Sequence, residues 1–136
     1  MKIEIVLGRP CAGKTAMLIK TANAHEGPSL FVSLENPSDY LRQRGLLEKV
    51  ALLVPAEFVH LTEQSIVSMS RKSKAALVAI DNLELLPSEM DLRLLADALE
   101  SAGVRNLIIS SHLRRDLVPA GNARIAAVQC KTTVLH

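Results

Sequence analysis

Residues 8–15 read GRPCAGKT: a glycine, four residues, then Gly-Lys-Thr, directly after the apolar run of residues 3–7. This spacing is typical of a loop that cradles phosphate groups between a strand and a helix. Gly8 would let the chain turn sharply, and Gly13 would let backbone N–H groups approach phosphate oxygens at a helix N-terminus. Lys14 could reach the β- and γ-phosphates of a nucleotide, and the Thr15 hydroxyl could ligate Mg²⁺. The expected phosphate-binding residues are Gly8, Arg9, Pro10, Cys11, Ala12, Gly13, Lys14 and Thr15. The alternative interpretation is a glycine-rich turn with an incidental Lys-Thr pair.

A magnesium site on such a loop needs a partner carboxylate at the end of a buried strand. Asp81 directly follows the apolar residues 77–80, so we expect it to hold the water shell of Mg²⁺ together with Thr15. The alternative is that Asp81 is a turn residue that caps the next segment. The residue after it is Asn82, at a position where many motor ATPases have a catalytic Glu, so a base must come from elsewhere.

Two acidic residues could supply that base, Glu35 and Glu84. Glu35 is the better candidate because it ends a predicted strand, and functional groups of parallel sheets gather at the carboxyl ends of the strands. Glu84 lies in a Leu-rich segment and can simply face solvent. The alternative for Glu35 is an exposed acid that is favoured by the dipole of the helix beginning near Pro37.

The elements that must position these residues follow from the apolar pattern. Short apolar runs predict strands at residues 3–7, 30–34, 58–61, 75–80, 105–110 and 126–134. Helices are predicted at residues 13–24, at 38–53 with Asn36 as its cap, at 65–74, and from a capping-box-like start at 88–91 to Gly103. The alternative for the helix over 38–53 is a break at Gly45. Most strands are apolar on both faces, as strands covered by helices on both sides must be. We therefore predict an α/β fold with three layers around a parallel sheet.

Four segments of the chain occur in an order and spacing that resemble one family. They are GRPCAGKT (8–15), FVSLENPSDYLRQR (31–44), LVAIDNLELL (77–86) and LIISSHLRR (107–115). Together they resemble the RecA-like ATPase core of DnaB-type replicative helicases, a P-loop (Walker A) NTPase fold with a parallel β-sheet flanked by helices. The resemblance covers most of the chain and implies a single RecA-like domain over residues 1–136.

The resemblance also implies roles for individual residues. Lys14 and Thr15 would bind phosphate and Mg²⁺, Glu35 would polarise the attacking water, and Asp81 would hold the water shell of the metal. His112 stands where the family usually has the Gln that senses the γ-phosphate. A His can donate a hydrogen bond to a phosphate oxygen; the alternative is an ordinary loop histidine.

The C-terminal part departs from the family. The helicase core continues past its last matching strand with a Lys/Arg pair that reaches the ATP site of the neighbouring subunit, whereas this sequence ends at His136. Arg114 and Arg115 could contact a nucleic-acid backbone or a neighbouring subunit, or they could simply be solvated. We therefore expect a small, C-terminally short RecA-like ATPase rather than a self-sufficient ring helicase.

Composition is consistent with several functions of this class. The net charge of +2 is too balanced to argue for nucleic acid or a membrane by itself. A cysteine inside the loop and the lack of a signal or apolar membrane segment predict a reducing, cytoplasmic setting without a membrane partner. We expect ATP and Mg²⁺ binding with weak ATP hydrolysis, linked to DNA replication or other nucleic-acid processing, with single-stranded DNA, a helicase or replication protein, or a homo-oligomer as partner. The alternatives are a nucleotide-dependent binding module without significant hydrolysis, and a small-molecule kinase.

Overall fold

Strands and helices alternate along the chain, as the apolar pattern predicts. The computed structural model describes residues 1–9, 12–54, 61–87, 90–112 and 130–135. The strands in these residues are β1 (Lys2–Gly8), β2 (Ser29–Ser33), β3 (Ala51–Leu53), β4 (Leu77–Asp81), β5 (Asn106–His112) and β6 (Lys131–Leu135). The helices are α1 (Lys14–Ala24), α2 (Ser38–Gln43), α3 (Glu63–Ser73) and α4 (Leu92–Ser101), with a 3₁₀ turn at Leu83–Leu85. Within these ranges, no helix has the length and apolarity that crossing a membrane requires.

The described strands form one sheet in which every neighbouring pair is parallel. Their order across the sheet is β3-β2-β4-β5-β1-β6. All carboxyl ends therefore lie at the same edge, and the register places Gly8 beside His112 and Ser33 beside Asp81. The α/β prediction with a parallel sheet is confirmed. This topology brings residues that are far apart in the sequence to one edge.

Helices cover both faces of this sheet. Ile66 of α3 and Leu95 of α4 belong to the apolar core on one face. Leu18 of α1 and Leu41 of α2 pack with Phe31 of β2 on the other face. The division follows from right-handed crossovers, because the chain moves in one direction from β1 through β2 to β3 and in the opposite direction from β3 through β4 to β5. The helices thus leave the carboxyl edge of the sheet open for polar groups.

The helix predicted over 38–53 is wrong beyond its first turns, and the alternative, a break at Gly45, is confirmed. It ends with α2, and the last residues of the predicted range form β3. Gly45 has a φ of 105°, which interrupts a right-handed helix. The Asn23 side chain donates to the carbonyl oxygen of Gly45 at 2.8 Å and accepts from the N–H of Leu47 at 2.9 Å, and Arg42 also donates to the Leu47 carbonyl oxygen. These side-chain hydrogen bonds fix a loop where the apolar spacing suggested a helix.

Three other predictions concern a strand and two helix starts; they differ from the structure or fall partly outside the described residues. Most of the strand predicted at 58–61 lies outside the described residues. Pro37, not Asn36, is the N-cap of α2, and no side-chain hydrogen bond caps this helix. Asp91 caps α4 by accepting two backbone N–H groups of its first turn at 2.8 and 3.3 Å, while residues 88–89 lie outside the described ranges. Caps depend on local geometry that residue type alone does not fix.

Candidate functional site

The loop between β1 and α1 begins at the carboxyl edge of the sheet. Gly13 precedes α1 with φ 90° and ψ 20°, a left-handed conformation that suits glycine. The first turn of α1 contains no acidic residue and its N-cap makes no side-chain hydrogen bond. Its backbone N–H groups are therefore suited to an anion. Pro10 and Cys11, which the sequence also assigned to phosphate binding, lie outside the described residues.

Lys14 is buried against the loop from which it projects. Its Nζ donates to the carbonyl oxygens of Gly8 and Arg9, both at 2.8 Å, and the residue is only 7% exposed. A Cβ at Gly8 would come within 3.2 Å of the Lys14 side chain and of Ala12. Gly8 is therefore needed because the lysine stem crosses directly over it. The arrangement holds an ammonium group at the place where the loop would meet phosphate oxygens.

Thr15 and Asp81 meet across the sheet edge, although 66 residues separate them in the sequence. The Thr15 hydroxyl donates to the two carboxylate oxygens of Asp81 at 3.2 and 3.0 Å. Ser110 of β5 donates to the same carboxylate at 2.9 Å. The sequence did not single out Ser110, and only its place at the end of a predicted strand could have indicated it.

The Asp81 carboxyl group is buried. Burial raises its pKa above the ordinary value, and the nearby Glu35 carboxylate adds to this, whereas Ser110, Thr15 and Lys14 act in the opposite direction. A cation beside Asp81 would offset both the burial and the repulsion from Glu35.

The donor set at this edge fits Mg²⁺, which prefers hydroxyl and carboxylate oxygens together with water and phosphate. No group of three or more His, Cys, Asp or Glu side chains suited to a metal occurs among the described residues. A magnesium ion here would therefore take Thr15 and Asp81 from the protein and the rest of its ligands from phosphate and water.

Glu35 follows the end of β2 and reaches the same edge. Its side chain is exposed, but its Oε2 accepts a hydrogen bond from Asn82 Nδ2 at 2.8 Å. Asn82 comes directly after Asp81, so the candidate base is linked to the candidate metal ligand through neighbouring residues. The sequence drew attention to Asn82 only because it replaces a Glu. Its contact with Glu35 could not be read from spacing.

Glu84, the other candidate base, does not simply face solvent. Its Oε1 accepts from the Ser111 hydroxyl and, at 2.8 Å, from the backbone N–H of His112. The sequence interpretation of Glu84 as an exposed acid is therefore wrong, because the side chain turns back onto the end of β5. This contact supports the backbone at His112, which lies next to Gly8 in the sheet.

The remaining site predictions divide into those that the structure places and those that it does not. The described edge brings together Gly8, Lys14, Thr15, Asp81 and the segment around Glu35, with His112 beside Gly8 in the register. Arg114 and Arg115, the candidate nucleic-acid or subunit contacts, lie outside the described residues. Comparison of the sequence with models of known protein families, and with curated proteins, gave no match.

Proposed function

We propose that the chain is a RecA-like P-loop ATPase that binds ATP with Mg²⁺ and hydrolyses it weakly. The observation that carries this proposal is the contact of the Thr15 hydroxyl with the Asp81 carboxylate at 3.0 and 3.2 Å. A Lys-Thr pair that arose by chance in a turn has no reason to meet a buried carboxylate from a distant strand. A phosphate loop needs that contact, because its hydroxyl and its acid share one metal ion.

Lys14 would bind the terminal phosphates of the nucleotide. Its ammonium group is already held over the loop by two carbonyl oxygens, so little reorganisation is needed when phosphate oxygens replace them. Charge-assisted hydrogen bonds of this kind are stronger than neutral ones. The N–H groups at the start of α1 would bind the other phosphate oxygens.

Hydrolysis would use Glu35 to orient and deprotonate the attacking water. Mg²⁺, when bound by Thr15 and Asp81, would neutralise charge that develops on the transferred phosphoryl group. His112 would donate a hydrogen bond to a γ-phosphate oxygen, and Glu84 would hold the backbone of His112 in place. Turnover should be weak without an added arginine, since such a residue is typically worth about 10³–10⁵ in rate.

The resemblance to DnaB-type helicases supports the RecA-like assignment at the level of the fold. The described residues of its four segments fall on the end of β1 and the start of α1, on β2 and α2, on β4 and the 3₁₀ turn, and on β5. Single-stranded DNA, a replication protein or a second copy of the chain are the partners that this resemblance suggests.

A nucleotide-dependent binding module without hydrolysis is the second candidate. One observation favours it: the carboxylate of Glu35 is already engaged by Asn82. If that bond kept both carboxylate oxygens of Glu35 away from the attacking water when ATP is bound, the protein would only hold its nucleotide.

Binding and turnover assays on matched variants test the proposal. Lys14→Ala should weaken ATP–Mg²⁺ affinity by about 10- to 100-fold, because a charge-assisted contact is lost, whereas Lys20→Ala, an exposed lysine on the same helix, should not. Glu35→Gln should lower turnover by about 100-fold or more while leaving affinity intact, with the exposed Glu48→Gln as control. Equal ATP affinity of the Lys14→Ala and Lys20→Ala proteins would contradict nucleotide binding by this loop. Full turnover in Glu35→Gln would contradict its role as base.

A further inference from the structure

Asn82 occupies the position directly after the metal-site acid, and it is almost fully buried. Its side chain is 7% exposed, yet the amide makes one hydrogen bond within the described residues, from Nδ2 to Glu35. Its Oδ1 is buried without a partner in the described structure. An apolar or smaller residue would avoid the cost of burying an amide oxygen in this way. The hydrogen bond to Glu35 is therefore what the buried amide of Asn82 provides.

The backbone of Asn82 is held firmly. Its N–H donates to Ser110 Oγ at 2.7 Å, and the same hydroxyl donates to Asp81. Asn82 has φ 81° and ψ 83°, a positive-φ conformation that most residues avoid and that Asn tolerates better than others. The amide thus projects from a rigid point that is tied to the metal-site carboxylate.

Glu35 is held much less firmly on its own. It is an exposed side chain beyond the end of β2, and an unrestrained glutamate there would sample many rotamers. The Asn82 bond engages Oε2 and leaves the lone pairs of Oε1 available to a water molecule. One oxygen would then fix the carboxylate while the other accepts a proton.

We propose that Asn82 is a positioning residue that holds the Glu35 carboxylate at a fixed place relative to Asp81, so that Glu35 can act on water at the γ-phosphate. This inference rests on the proposed ATPase function and deepens it. Many motor ATPases have the catalytic Glu directly after the metal-site Asp. Here Asn82 stands at that position and holds the carboxylate of Glu35 instead. The hydrogen bond from Asn82, which follows β4, holds a carboxylate that follows β2.

Steady-state kinetics of two Asn82 variants test the role. Asn82→Gly removes the amide and accepts the positive φ, so we expect kcat to fall about 10- to 100-fold, the cost of a misplaced catalytic group, with KM for ATP unchanged. Asn82→Ala should lose the same activity and, in addition, some stability, because alanine is strained at this φ. Asn36→Ala, which removes an amide next to Glu35 in the chain, is the control and should keep full turnover. Unchanged or increased kcat in Asn82→Gly would overturn the proposal, an increase showing that the bond restrains the base.

A double-mutant cycle separates a role through Glu35 from a general structural effect. In the Glu35→Gln background, Asn82→Gly should lower kcat no further, since residues that act as a unit are not additive. A further fall of the same size as in the wild-type background would mean that Asn82 acts independently of Glu35 and would refute the proposal.

A measurement without turnover keeps the two proposals distinguishable. The side-chain NH₂ resonances of Asn82, observed by NMR on the full chain, should shift in Glu35→Ala and stay in place in Glu48→Ala. If the Asn82 resonances do not shift in Glu35→Ala, the positioning role of Asn82 is wrong, even if ATP hydrolysis depends on Lys14 and Glu35. The resonances could shift while the wild-type protein hydrolyses ATP no faster than Lys14→Ala. The Asn82–Glu35 contact would then exist, but the ATPase function and the catalytic role of the contact would both be rejected.

Discussion

Replacement of Ser110 by alanine should destabilise the protein far more than its small change in volume suggests. Ser110 is fully buried at the end of β5, where its hydroxyl accepts from the N–H of Asn82 at 2.7 Å and donates to Asp81 at 2.9 Å. Alanine fills nearly the same space but leaves a buried N–H without a partner and a buried carboxylate with one donor fewer. The Ser110→Ala variant therefore isolates the polar contribution of this hydroxyl to folding.

The expected size follows from those two bonds. An orphaned buried N–H costs about 1–3 kcal/mol, and a hydrogen bond to a charged group contributes about 1.5–3 kcal/mol. Thr15 still donates to Asp81 in the variant, so part of the second loss is recovered and we expect a net cost of about 2–4 kcal/mol. With an unfolding entropy of about 2.1 cal/mol/K per residue, this corresponds to a fall in Tm of roughly 7–14 °C for a chain of 136 residues.

The cost should also depend on pH, with a defined sign. Burial raises the pKa of Asp81, and the Ser110 bond lowers it, so removing the bond raises the pKa of Asp81 further. The native state of the variant then binds a proton more readily than the native wild type. The stability difference between the two proteins should accordingly be full at neutral pH and shrink as the pH falls through the folded-state pKa of Asp81.

Chemical denaturation at neutral pH and near pH 4 measures both effects, and Ser70→Ala is the matched control. Ser70 is also fully buried, but its hydroxyl donates to the Ile66 carbonyl oxygen one turn back in α3 at 2.8 Å. That contact is nearly neutral for stability, so we expect a change within about 0.5 kcal/mol. Equal losses in the two variants, or a loss below ~1 kcal/mol in Ser110→Ala, would refute the reasoning.

Three further predictions concern the same edge and a remote control. Asp81→Asn should raise the stability of the nucleotide-free protein at neutral pH, on the order of 1 kcal/mol, because it removes a buried carboxyl group whose pKa is raised. The same variant should abolish the dependence of ATP affinity on Mg²⁺. An unchanged dependence in titration calorimetry would argue against a metal at Asp81. Gly13→Ala and Gly103→Ala should each cost about 1–2 kcal/mol, since both glycines have positive φ and free space around a Cβ. Only Gly13→Ala should also weaken ATP binding, and equal ATP affinities of the two variants would count against the loop. Thr62→Ala removes the N-cap bond to the Ser65 N–H and should cost about 1 kcal/mol in thermal unfolding with no change in ATP affinity; a loss of affinity there would show that the assay reports stability rather than binding.

The meeting of distant polar residues at one edge could be predicted from the sequence. The apolar strands of residues 3–7, 30–34 and 75–80 each end close to a candidate functional residue. Parallel strands share a carboxyl edge, so their ends must meet there. The register of Ser33 with Asp81 and of Gly8 with His112 confirms that expectation.

What could not be predicted depends on side chains that meet only after folding. The sequence offered Gly45 as a break in the helix over 38–53, but it gave no sign that Asn23, more than 20 residues earlier in the chain, fixes the loop there. Glu84 looked like solvent-exposed charge because its partners, Ser111 and His112, are 27 and 28 residues away. Periodicity records which face of an element is apolar, and it carries no information on such hydrogen bonds.

Under the proposed function, the charges at the edge favour binding of the nucleotide together with a metal ion. Burial raises the pKa of Asp81 most; the nearby Glu35 carboxylate raises it further, and the Lys14 ammonium group lowers it. Phosphates near Lys14 would be attracted, but a γ-phosphate placed towards Asp81 and Glu35 would add negative charge to two carboxylates. A divalent cation shared by Thr15 and Asp81 would offset that repulsion, so under the proposed function we expect the terminal phosphate and the metal to bind together. Hydrogen bonds connect the proposed metal ligand to the proposed base. Thr15 and Ser110 donate to Asp81, the N–H of Asn82 donates to Ser110, and the side chain of Asn82 donates to Glu35.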